Sequence, residues 1–208
     1  MKFDITLKQY EIIYRIVASV GEHFAHGAGY SCQFYNVLGA FVLEQMLKVE
    51  ARPVMGVAFI KLSEENVLAF AGQEDRGIYS SPDAFHCWVE TKNNYIDFTA
   101  PEYREAASDL PNGSSTPRKM FQKPKESMST DPFDLEKPGD YFFSVNPALT
   151  NHLLGKMFSR SDSKDFAHIC CDWFEKYKKG KIDSMTVMND LGEMTPVKMK
   201  SSNLCDKW

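Results

Sequence analysis

Residues 31–48 carry apolar side chains around most of a helical circumference, and this limits the fold more than any other feature of the chain. Phe34, Val37, Leu38, Phe41, Val42 and Met46 cover a broad face, while Gly39 and Ala40 are small enough for another element to approach closely. A helix that is apolar on most sides has to be enclosed, so it is placed at the centre of the molecule, with Ser31 as its N-cap. The preceding residues 6–24 repeat Tyr10, Ile13, Val17 and Val20 at helical spacing, with Ile12 and Ile16 widening the stripe. Two helices are therefore expected before any strand. Between them, His23 to Tyr30 reads as a loop with two glycines and two histidines.

Strand signals follow. Pro53 to Leu62 is rich in Val, Phe and Ile, and Val67 to Ala71 is a shorter run. Phe85 to Thr91 and Tyr95 to Thr99 flank the polar trio Lys92-Asn93-Asn94, which predicts an antiparallel hairpin. Helix, helix, then strands implies an α+β fold whose antiparallel sheet packs on the central helix. At 208 residues, 43% hydrophobic and 25% charged, the chain can bury a sizeable core, and residues 1–208 read as a single domain. Residues 100–140 hold six of the ten prolines and lack apolar periodicity. They read as a Pro-rich insertion or loop, either a lid or an excursion without function. Residues 148–160 and 164–179 read as helices, making residues 145–208 a C-terminal helical elaboration. From Lys181 onward the pattern is weak.

Several function classes are disfavoured. A net charge of -4 argues against a nucleic-acid surface, which usually carries a basic excess. No window approaches the roughly 18 apolar residues of a membrane span. The start of the chain lacks a basic stretch followed by an apolar run, so a cytoplasmic location is expected. The five cysteines (Cys32, Cys87, Cys170, Cys171 and Cys205) are odd in number and form no CxxC pair, which fits free thiols. His23 and His26 lack further ligands, and His168 shares a helix face with Cys171 but not with Cys170, so no metal is expected. Gly27-Ala28-Gly29 lacks the rest of a phosphate loop, and no cofactor is expected. The basic run from Lys176 to Lys181 reads as a solvated helix end.

Cys32 opens the enclosed helix. A helix N-terminus carries partial positive charge and unpaired N–H donors, which favour a thiolate and can hold an oxyanion formed beside it. His86 lies in a strand where His86, Trp88 and Glu90 share one face and Phe85, Cys87 and Val89 the other. Asp97 lies on the next strand of the hairpin. An offset of eleven residues brings its carboxylate within one or two cross-strand positions of the imidazole. An aspartate between Ile96 and Phe98 needs a partner, and an imidazole N–H is one. Each residue alone is better read as packing; together they form an ordered Cys, His and Asp arrangement.

That arrangement resembles the transglutaminase-like superfamily of papain-like folds, over about Tyr30 to Pro101. The resemblance rests on the helix-opening Cys32, the stretch Ala51-Arg52-Pro53-Val54-Met55-Gly56-Val57, the motif His86-Cys87-Trp88-Val89-Glu90 and the motif Asp97-Phe98-Thr99. It departs from the family at Gln33, where tryptophan is common, and after Asp97, which points to an outlying bacterial subgroup. The resemblance implies a papain-like core across residues 30–101, with Cys32 as nucleophile, His86 as general base and acid, and Asp97 as its orienter. The reaction implied is acyl transfer or amide hydrolysis through a thioester, on a peptide, protein or small-molecule acyl donor. The backbone N–H of Cys32 is one oxyanion donor; Gln9, His26, Tyr30 and Gln33 are open for the second, and Trp88 is a pocket candidate. The rival reading is a non-catalytic binding module on the same fold. A redox pair of Cys32 with Cys87 is disfavoured, because strand alternation turns Cys87 away from the face of His86.

Overall fold

The computed structural model describes residues 3–24, 31–75, 77–180, 182–202 and 204–208. Helix α1 (Leu7–Phe24) opens with a capping box: Thr6 Oγ1 accepts from the Gln9 N–H at 3.2 Å, and Gln9 Oε1 accepts from the Thr6 N–H at 2.8 Å. Helix α2 (Ser31–Leu47) is the enclosed helix expected, buried along most of its length and packed against α1, the sheet and a later helix. Gly39 provides the close approach: a Cβ there would lie 2.2 Å from the Phe98 ring.

The strands are β1 (Arg52–Lys61), β2 (Val67–Phe70), β3 (Gly72–Glu74), β4 (Gly77–Tyr79), β5 (His86–Glu90), β6 (Asn94–Asp97), β7 (Lys119–Pro124) and β8 (Tyr141–Val145). Between β6 and β7 stands a single helical turn, α3 (Tyr103–Ala106). After β8 come α4 (Pro147–Phe158), α5 (Ser163–Gly180), the hairpin β9 (Ser184–Met188) and β10 (Met194–Lys198), and the short β11 (Asp206–Lys207). The main sheet runs β11-β7-β6-β5-β1-β2, and β8 also pairs with β1. It is antiparallel except for β11, which runs parallel to β7, so the expected antiparallel sheet is a mixed one. The fold is α+β.

Two parts of the chain depart from expectation. Residues 100–140 were expected to be an insertion or loop, yet they supply α3 and the interior strand β7, paired with β6 from Asn94↔Pro124 to Asp97↔Phe121. The prolines flank this strand: Pro117 precedes it and Pro124 ends it, so each ladder position between them keeps its N–H. The C-terminal region is helical only as far as Gly180. The alternating pattern beyond it forms β9 and β10, and Ala167, Cys170, Trp173 and Phe174 of α5 join the core of α1 and α2.

Both faces of the sheet are covered. One face carries α1, α2 and α5. The other curls on itself, so that Tyr141 of β8 meets Phe121 of β7 edge-on at 5.2 Å and donates its hydroxyl to the Pro124 carbonyl at 2.6 Å. This second core holds Val54, Trp88, Tyr103, Phe121, Tyr141 and Phe143. Among the described residues, no helix is long and apolar enough to cross a membrane.

Candidate functional site

The hairpin β5–β6 places its two polar residues as its register requires. Val89 pairs with Ile96 and Glu90 with Tyr95, so His86 and Asp97 fall on one face along a diagonal. His86 Nε2 and Asp97 Oδ2 are 2.6 Å apart, and both side chains are 0% exposed. Phe70 stacks on the imidazole with centroids 4.2 Å apart, which fixes the plane of the ring.

Four donors hold the Asp97 carboxylate. Oδ2 accepts from His86 Nε2 and from the Tyr103 hydroxyl at 2.5 Å; Oδ1 accepts from Asn36 Nδ2 at 2.8 Å and from the Thr99 N–H at 2.7 Å. Burial alone would raise Asp97, but the His86 charge and these hydrogen bonds reverse that and hold it below the ordinary carboxylate value. Burial alone would likewise depress His86. The Asp97 charge and hydrogen bond, helped by Cys32, overcome it and raise the imidazole to about 10. Tyr103 is pushed well up by burial and by Asp97, so its hydroxyl stays a donor.

Cys32 stands in the first turn of α2, 9% exposed, within a small apolar cluster with Val37, Met55, Phe85, Cys87, Leu149 and Leu153. Its side chain lies close enough to His86 to favour the charged ring. His86 Nδ1 itself has no formed hydrogen bond among the described residues, so the ring nitrogen opposite Asp97 is open. Cys32, His86 and Asp97 are thus brought together.

The secondary candidates fare differently. Gln9 is the capping-box partner of Thr6 at the start of α1, a role written in the spacing Thr-x-x-Gln, and it does not join this cluster. Gln33 is buried and donates its amide to the Leu153 carbonyl at 3.1 Å, tying α2 to α4. Trp88 does share the face of His86, but that face is the closed second core, where the indole stacks on Phe143 at 4.5 Å, so it packs the interior. His26 and Tyr30 lie outside the described residues. Cys87 faces away from the His86 side, as alternation requires, and that turns it into the cluster of Cys32, so the geometric ground against that pair does not hold. His23 bonds back to the Ser19 carbonyl at 3.0 Å. Among the described residues, no group of three or more His, Cys, Asp or Glu side chains is arranged to hold a metal ion.

Two of the residues that hold the Asp97 carboxylate went unread in the sequence. Asn36 is one turn beyond Cys32, polar and fully buried in a largely apolar helix, and such a residue must find partners. Tyr103 carried no signal of its own within the proline-rich stretch.

The same architecture occurs in a crystal structure described as “genomics APC5867”, with a TM-score of 0.87 and 29% sequence identity, covering 100% of this chain and 98% of that one. No curated protein matches the chain in sequence. The model of the family described as “Protein of unknown function (DUF2026)” matches residues 6–208, and the chain belongs to that family.

Proposed function

We propose that this protein is a cysteine-dependent acyl-transfer or amide-hydrolysing enzyme on a papain-like, transglutaminase-like core, working through a thioester acyl-enzyme. One observation carries the reading: His86 is bonded through Nε2 to a fully held Asp97 while Nδ1 is left open beside Cys32. A buried imidazole anchored at one nitrogen and open at the other can move a proton at the open one. The motifs around His86 and Asp97 support the same reading.

The reading implies the following steps. With the ring raised to about 10, the proton shared by Cys32 and His86 rests on Nδ1, and the sulfur adds as the thiolate to the carbonyl carbon of an amide or ester. The oxyanion that forms is held by N–H groups of the first turn of α2, which a helix start leaves without intrahelical partners. When the tetrahedral adduct collapses, the carbon–nitrogen or carbon–oxygen bond breaks, and the leaving group takes the proton from Nδ1. A thioester remains on Cys32. Water or an amine then adds to it, giving its proton to Nδ1, and the sulfur leaves. Asp97 keeps its bond to Nε2 throughout and offsets the charge on the ring.

The test is iodoacetamide labelling at pH 6 followed by incubation with nitrophenyl esters and short peptide amides, with the thioester sought by mass spectrometry. Cys32 is expected to label and to carry the acyl group, and both are expected to vanish in Cys32→Ala and fall sharply in His86→Ala. Undiminished labelling in Cys32→Ala would overturn the assignment. Indifference of every readout to His86→Ala would favour a binding module on the same fold.

A further inference from the structure

We infer that Asn36 is a positioning residue, the joint that fixes the Cys32 turn of α2 against the His86–Asp97 pair; this rests on the triad proposed above. Its carboxamide lies at one point where all three parts meet. Nδ2 is 3.0 Å from the Cys32 carbonyl, 2.8 Å from the Cys87 carbonyl, 2.8 Å from Asp97 Oδ1 and 2.9 Å from Thr99 Oγ1. Oδ1 accepts the Phe98 N–H at 2.9 Å. Two hydrogens shared among four oxygens on one side, and a donor on the other, leave the amide only one orientation.

The placement sets the role. Asn36 follows Cys32 by one helical turn, so its bond back to the Cys32 carbonyl ties it to the residue that carries the sulfur. Its bond to the Cys87 carbonyl reaches the peptide next to His86 on β5. Its bonds to Asp97, Phe98 and Thr99 reach the end of β6. No apolar residue of similar size makes these links, and packing alone asks only for volume at this position. A sub-ångström shift of α2 along the sheet would move the sulfur away from Nδ1, and general acid–base transfer depends steeply on that separation. Asn36 also shares the Asp97 carboxylate with Tyr103, Thr99 and His86, so it helps keep the proton on His86. The titratable groups facing this node are Cys32 on α2, His86 and Cys87 on β5, Asp97 on β6, Tyr103 on α3 and Tyr10 on α1, whose hydroxyl donates to the Asp97 carbonyl.

The test measures iodoacetamide labelling of Cys32 in the full chain by peptide mass spectrometry, with the exposed Cys205 as an internal reference. Asn36→Ala is expected to slow Cys32 labelling at pH 6 at least 10-fold, leave Cys205 unchanged, and add no further slowing in a His86→Ala background. That non-additivity separates positioning from a general loosening, which would slow or speed both backgrounds alike. If Asn36→Ala does not fold, Asn36→Ser takes its place, because its hydroxyl can still donate to one of the oxygens that Nδ2 faces. Asn36→Ser is expected to recover part of the Cys32 labelling rate lost in Asn36→Ala, whereas Asn36→Leu, which restores volume without a donor, is not. Wild-type labelling rates in folded Asn36 variants, or recovery by Asn36→Leu as full as by Asn36→Ser, would overturn this inference alone. Failure of wild-type Cys32 to label, or indifference of that labelling to His86→Ala, would overturn the triad and this inference together.

Discussion

Asp97→Asn is the substitution whose outcome is most tightly set by the structure. The change keeps the shape of the side chain but turns one acceptor oxygen into a donor. All four partners of Asp97 donate to it: His86 Nε2 and the Tyr103 hydroxyl on one side, Asn36 Nδ2 and the Thr99 N–H on the other. The new amide must therefore point its NH2 at two donors. The Thr99 N–H cannot become an acceptor, whereas a hydroxyl can rotate and an imidazole can change tautomer. The NH2 is thus expected on the His86 side, with His86 neutral, Nε2 accepting and Nδ1 carrying the hydrogen toward Cys32, the wrong form for a base. Removing one partner of a buried ion pair costs about 3–5 kcal/mol. In a chain of 208 residues, at about 2–4 °C per kcal/mol, Tm is expected to fall by roughly 10 °C. The loss depends on pH. His86 is raised from 6.5 to about 10, so its contribution is complete below 6.5 and disappears as pH rises toward 10. Asp97 is lowered from 3.8, so its contribution is complete above 3.8 and is lost as pH falls below it. These are two views of one interaction, and the wild-type advantage is greatest between about pH 4 and 6.5. Urea unfolding at pH 5.5 and pH 10 measures it, and the gap between the two proteins is expected to narrow by half or more at the higher pH. Nuclear magnetic resonance of the imidazole checks the cause, with His86 in the variant titrating below the ordinary histidine value. An equal gap at both pH values, or a variant His86 still charged near pH 9, would refute the reasoning.

Gly39→Ala adds a Cβ 2.2 and 2.4 Å from carbons of the Phe98 ring, which is itself stacked on Tyr10 at 5.1 Å. The helix gains about 1 kcal/mol in propensity but overpacking costs about 1–3 kcal/mol or more, so a net loss is expected in thermal unfolding; a rise in Tm would contradict the packing described. Gln9→Ala removes half of the capping box and is expected to cost about 1 kcal/mol or less while leaving Cys32 labelling unchanged, which separates Gln9 from the site. Under native conditions at pH 7, iodoacetamide is expected to modify Cys32 and Cys205 and to spare Cys87 and Cys170. Burial pushes both of the latter thiols up, and they are expected to react only after denaturant is added.

What could be read from the sequence follows the distance over which each contact is made. The His86–Asp97 pair lies within one hairpin, so strand periodicity and a short turn were enough to place both side chains on one face. The enclosed character of α2 was equally local, since Leu38, Val42 and their neighbours fill the helical circumference by themselves. Strand β7 was hidden because its apolar content is only Met120 and Phe121 between lysines, with prolines at its margins. Its place in the sheet comes from pairing with β6 and from Gln122, whose amide binds the Asp4 N–H and both backbone groups of Ile5. No periodicity expresses a side chain that stands in for a strand.

The burial of Asp97 explains why its supporting residues come from so far along the chain. A carboxylate at 0% exposure must have nearly every lone pair met, and one imidazole meets only one of them. Beyond His86 the hairpin adds the Thr99 N–H, while the neighbouring Phe98 N–H is taken by Asn36 Oδ1. The other donors have to arrive from outside, and they do so from the two layers that close over the sheet: Asn36 from the helical face and Tyr103 from the curled one. An aspartate buried at the junction of two cores therefore needs both cores complete before its charge is tolerated. The ion pair, and with it the proton transfer proposed at His86, depends on the finished fold, whereas the place of Cys32 at a helix start is already present in α2 itself.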